Sequence, residues 1–161
     1  MPAPDHLAEL ARQVRGDTLR LLERTPEDWL TFAPAGTSNH ILWHCGHALW
    51  LQDVLFIEAA TDRSELPTGW EETFGMDCRP VKETNARRLW PARLEIERLL
   101  TAQLSRVLDL LASLPPARLA ADAPRLEGYG SRNLQSCCIH AWHDEAKHQG
   151  EMYLLFKLRR D

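Results

Sequence analysis

Apolar residues recur along this chain at three- and four-residue intervals over four long stretches. No segment alternates with the period of two that a half-buried strand requires. The first predicted helix covers 5–24, with Leu7, Leu10, Val14, Leu21 and Leu22 supplying most of its buried side. Thr25-Pro26-Glu27-Asp28 reads as a fresh helix start, with Thr25 as N-cap and Pro26 at the first helical position, opening one short turn through Trp29 and Leu30. A second long helix begins after Gly36-Thr37-Ser38 and carries Ile41, Trp50, Val54 and Phe56 to about residue 60. The third spans 91–114 on a stripe of Leu94, Leu99, Leu104, Val107, Leu108 and Leu111, and Pro115-Pro116 stops it. Ser131 is the expected N-cap of the last helix, which runs to about residue 158.

Four long amphipathic helices in 161 residues predict an all-α, four-helix bundle forming one domain over 1–161. Pro67, Gly69, Gly75 and Pro80 mark turns in the stretch 62–88. That connection far exceeds the roughly two to eight residues usual between antiparallel neighbours. It predicts a long crossover, with helices two and three running parallel.

Composition is that of an ordinary globular protein. A formal net charge of −4 gives no electrostatic reason to expect nucleic acid or an anionic membrane as partner. The N-terminus MPAPDHLAEL lacks a basic region followed by an apolar one, and no run of about 18 apolar residues exists to span a bilayer. Cys45, Cys78, Cys137 and Cys138 have no CxxC spacing, and two are adjacent. They read as thiols in a reducing compartment, so the expected location is cytoplasmic.

Histidine changes the picture. Six of seven histidines fall in two windows: His40, His44 and His47 in NHILWHCGHALW, and His140, His143 and His148 in HAWHDEAKHQGE. The first three share a helix face, within about 60° of arc. In the second window His143 and His148 diverge by roughly 140°, whereas Asp144 and His148, at i and i+4, point the same way, with His140 one turn earlier. Each ring would need hydrogen-bond partners if it merely replaced core leucine. Bundles build metal sites from inward side chains on facing helices. Asp144, His148 and one histidine from the second helix would make a two-histidine, one-carboxylate set with positions left open. Zn, Ni, Fe and Mn all suit such donors. Trp43, Trp50 and Trp142 either wall a pocket beside this set or belong to the core.

WHCGHALW at 43–50, after a Thr-Ser-Asn start, together with HDEAKHQGEMYLL at 143–155, resembles the DinB/YfiT-like superfamily. The resemblance covers nearly the whole chain. It implies an up-down-down-up bundle holding one divalent metal ion. Residue by residue, it places the first ligand on His47, with His44 as the alternative, and the last on His148. The middle ligand falls on Asp144, where many members have histidine and those similar to mycothiol-dependent maleylpyruvate isomerase have a carboxylate. His143 would serve only if the helix bulged.

The resemblance further implies an enzyme using a low-molecular-weight thiol, bacillithiol or mycothiol, on a small-molecule substrate, and a homodimer. It also admits a metal-dependent hydrolase or a non-catalytic metal-binding stress protein. In the first case His44 or His140 acts as proton shuttle, and Tyr129 or Arg132 orients the substrate. The basic stretch of Arg79, Lys82, Arg87 and Arg88 either receives thiol carboxylates or is a solvated loop.

Overall fold

The structure, a computed structural model, describes residues 4–76, 90–123 and 132–160. Cys78, Arg79, Lys82, Arg87, Arg88, Tyr129 and Ser131 lie outside them. The architecture is an all-α four-helix bundle of up-down-down-up order, and among the described residues there is no strand. Four long helices build it: α1 (Pro4–Arg24), α2 (Ile41–Gln52), α4 (Arg93–Ser113) and α6 (Leu134–Arg160). Short helices α3 (Trp70–Phe74) and α5 (Pro116–Ala120) lie in the connections. Helix α1 packs on α4 and α6, and α2 packs on the same two, so α1 and α2 face each other across the bundle. The long second connection allows this order, because a parallel neighbour cannot be reached by a short turn.

Helix α2 is buried on all sides, its two histidines and Gln52 included. It continues without a break into a π-helical segment, Asp53–Glu58, and a last α turn, Ala59–Thr61, that ends at Asp62 with φ 59°. The buried Asp53 carboxylate accepts from Ser64 Oγ (2.6 Å) and Glu65 N (3.1 Å), tying the end of this helix to the connection that follows.

Several helix ends differ from the sequence reading. Thr25 is not a cap: its Oγ1 donates to Leu21 O at 2.7 Å, and Pro26 precedes a 3-10 turn, Glu27–Trp29. The last helix starts at Leu134, where Asn133 Oδ1 accepts from Ser136 N at 2.8 Å. Leu94 is 76% exposed, because the buried stripe of α4 is phased on Ile96, Leu100, Gln103, Val107, Leu110 and Leu111.

One buried polar network ties all four helices together. Arg15 of α1 donates from Nε and Nη2 to both oxygens of Glu145 on α6, each at 3.0 Å, and both side chains are almost fully buried. Its remaining donors reach Leu100 O and Gln103 Oε1 on α4, and Gln103 Nε2 donates to Leu49 O on α2. Thr18 Oγ1 donates to Glu145 Oε1 at 2.6 Å. Glu145 adjoins Asp144, so this bidentate lock sets the rotation of α6 and turns Asp144 and His148 toward α2. No helix among the described residues is long and apolar enough to cross a membrane.

Candidate metal centre

The two histidine windows meet where α2 packs on α6. His40 does not join them. It is the N-cap of α2, with Nδ1 accepting from Trp43 N at 3.0 Å, so the expected stripe of three histidines becomes a pair. His44 and His47, three residues apart, are both buried and face Asp144, His148 and Glu151 on α6. His143 is exposed, as the helical phase requires.

Two overlapping donor groups result. His47 Nε2 lies 3.7 Å from Asp144 Oδ2, which lies 3.2 Å from His148 Nε2. On the other side of the His148 ring, its Nδ1 is 2.7 Å from His44 Nδ1, and His44 Nε2 is 3.3 Å from Glu151 Oε2. In each group the three candidate ligand atoms lie within 4.8 Å of one another. A tetrahedral cation with ligand bonds of 2.0–2.1 Å has donors about 3.3 Å apart, so the spacings in the His47, Asp144 and His148 group fit a divalent ion.

Orientation supports the fit. His47 Nδ1 donates to Phe74 O at 2.6 Å, which fixes the tautomer and leaves the Nε2 lone pair toward Asp144. The acceptor is held there by close packing. Gly46 lies against Phe74 so tightly that a Cβ would come 2.3 Å from the ring, while Trp70 Nε1 donates to Gly46 O at 3.0 Å. Trp43 stacks on His47 with centroids 4.7 Å apart, and Trp50 lies 5.3 Å from the same ring. These two tryptophans wall the site. Trp142 instead belongs to the core, under the Arg15 guanidinium.

Burial holds the His44 and His47 rings below the ordinary imidazole range. For His44 the neighbouring His148, His47 and His40 add to the effect, and for His47 the bond to Phe74 O opposes it. Both are therefore neutral near pH 7, the form that binds a metal. Burial acts to raise the Asp144 carboxyl, but its bond to His148 and the nearby His47 and His140 hold it below the usual carboxylate range. His140 stands one turn before Asp144 and falls in neither donor group. The buried cysteines are poor nucleophiles, since burial pushes the Cys138 thiol up to about 12 and Cys45 higher still.

Glu151 escaped the sequence reading. The signal was present, because residues 144, 148 and 151 follow an i, i+4, i+7 spacing on one face.

The DinB superfamily model matches residues 10–152. Among solved structures, a conserved protein from Enterococcus faecalis is similar, with a TM-score of 0.76 and 16% identity over 98% of this chain and 97% of that one. At that identity the likeness bears on the fold alone. No curated protein matches the chain.

Proposed function

The chain belongs to the DinB superfamily, and on that premise we propose that it is a divalent-metal-dependent enzyme acting through a low-molecular-weight thiol. The thiol would be of the bacillithiol or mycothiol type, and the reaction its transfer to, or its assistance in isomerising, a small electrophile. One observation carries the reading: His47 Nε2, Asp144 Oδ2 and His148 Nε2 converge at the bundle surface, with side-chain exposures of 5%, 20% and 17%. Three protein ligands with a partly open side are the arrangement of catalytic rather than structural metal sites. When bound, the cation would supply Lewis acidity that lowers the pKa of a thiol or water reaching it.

The chain's own residues do the rest. Phe74 O orients His47, while Trp43 and Trp50 keep water from the buried side. His44, neutral and beside His148, accepts the proton of the incoming thiol at Nδ1 in place of its 2.7 Å bond from His148 Nδ1, and releases the proton carried on Nε2. Glu151, with 64% of its side chain exposed, receives it at 3.3 Å and exchanges it with solvent. His44 is better placed for this than His140, which stands outside the convergence. A thiol needs less help than water, since its ordinary pKa is about 8.5 against about 15.7 for bulk water.

The His44–Glu151 pair also favours a second reading, in which it acts as general base toward water and the enzyme is a hydrolase. Purified protein loaded with metal and given a thiol with electrophilic substrates, then esters and amides, separates the two. Thiol-dependent consumption supports the first reading and thiol-independent cleavage the second. No turnover with metal bound would reduce the chain to a metal-binding protein.

A further inference from the structure

We propose that the chain carries a second divalent-cation site, built from His44, Glu151 and the Nδ1 nitrogen of His148, which shares the His148 ring with the first site and fills only after it. The first site uses the Nε2 edge of that ring, which faces Asp144 at 3.2 Å. The opposite edge faces His44 at 2.7 Å, and the far nitrogen of His44 faces Glu151 at 3.3 Å. His44, His148 and Glu151 therefore form a group with one nitrogen or carboxylate donor each, all within 4.8 Å. The ring nitrogens of an imidazole point away from each other, so two cations on one ring do not compete for the same lone pair.

The two ring nitrogens need little adjustment. Two nitrogens 2.7 Å apart subtend about 80° at a cation bound at ordinary zinc–nitrogen distances, and a tetrahedral angle needs them to part by about 0.6 Å. Glu151 lies against Nε2 of His44 rather than Nδ1, so its carboxylate must swing to the Nδ1 side to complete the set, and its 64% exposure leaves room for that. Each lobe contributes one carboxylate, Asp144 to the first and Glu151 to the second. The bridging ring adds a third negative charge when both its nitrogens are ligated and its remaining proton leaves to solvent. The cations would sit about 6 Å apart.

The filling order follows from the exposures. All three ligands of the first set are mostly shielded from water and His47 is fixed by Phe74 O, whereas the second set depends on a solvated carboxylate. On the proposed function, a cation on His44 removes the proton acceptor, so occupancy of the second site inhibits turnover. That consequence rests on the proposed function. The binding site does not.

The test is titration of the metal-free full-length chain with Zn²⁺, followed by calorimetry and elemental analysis after gel filtration. The expected result is two equivalents per chain in separate steps. Glu151→Gln and His44→Gln lose the weaker step and keep the tighter, His148→Ala loses both, and exposed His143→Ala keeps both. Loading with Cu²⁺ adds a spectroscopic readout, because ring-bridged copper ions couple and the doubly loaded chain should show less paramagnetic signal than two isolated ions. Glu151→Gln should restore the full signal of one ion. A single equivalent in the wild type overturns the proposal while leaving the first site standing. Two equivalents that survive Glu151→Gln and His44→Gln overturn it by placing the second ion elsewhere. No bound metal at all overturns both this inference and the proposed function.

Discussion

Gly46→Ala is a one-methyl perturbation placed behind the site, not in it. The new Cβ would stand 2.3 Å from Cδ1 and Cε1 of Phe74 and 2.7 Å from Cγ, where carbon contacts settle at roughly 3.5–4.0 Å. The ring must therefore retreat by more than about 1 Å. It cannot swing away freely, since Phe74 is 1% exposed and its neighbour Trp70 is pinned to Gly46 O. Overpacking of this kind costs about 1–3 kcal/mol, against a gain of up to about 1 kcal/mol from replacing glycine inside a helix. Net destabilisation is then about 0–3 kcal/mol. The larger effect falls on His47. Its Nδ1 donates to Phe74 O at 2.6 Å, and losing such an orienting partner typically weakens a metal site about 10–100-fold.

The assay pairs urea denaturation with Zn²⁺ affinity by chelator competition, for Gly46→Ala and for Gly46→Ala/Phe74→Leu. The second change removes the ring but keeps the carbonyl, so it should recover much of the affinity. Wild-type affinity in Gly46→Ala would refute the orienting role of Phe74. A double variant as weak as the single one would show that the ring clash is not the cause.

Arg15→Met leaves Glu145 buried without its partner and should cost about 3–5 kcal/mol in urea denaturation, much of it recovered by Arg15→Met/Glu145→Leu; a loss below about 1 kcal/mol would contradict the network's role. The metal-free chain should lose stability as pH falls. His44 and His47 are held below the ordinary value of 6.5, so their contribution is complete above that pH and is lost as pH drops toward their folded-state values. Urea midpoints at pH 8 and pH 5 check this, and His44→Gln should flatten the profile. Chelation should leave the circular dichroism of the bundle intact, because its core does not depend on the ion, while a hundredfold excess of metal over Kd adds about 2.7 kcal/mol; loss of helicity at room temperature would contradict that.

The helices were legible because their apolar stripes are long and repeat, and the Asp144–His148 face because it depends only on helical phase, which the exposure of His143 bears out. What was hidden depends on tertiary contacts. His40 has the right spacing for a stripe, yet at the helix start its ring turns back onto Trp43 N, and phase no longer governs it. Arg15 and Glu145 look like solvated charges in isolation. Only their pairing across 130 residues makes them core. The role of Phe74 is a backbone carbonyl, to which side-chain patterns are blind, and the π segment after α2 has no composition that announces it. Leu94 lies outside the buried stripe for a related reason, since in the same first turn of α4 it is Ile96 that faces the core, and leucine content alone does not mark which face packs.

The most direct test of the account is equilibrium metal loading of the untagged chain beside His148→Ala and His143→Ala, each confirmed folded by circular dichroism. Both candidate donor groups run through His148 and neither uses His143. Bound divalent metal in the wild type and His143→Ala, and its loss in His148→Ala, is the predicted result. Metal retained by folded His148→Ala, or lost from His143→Ala, would contradict it.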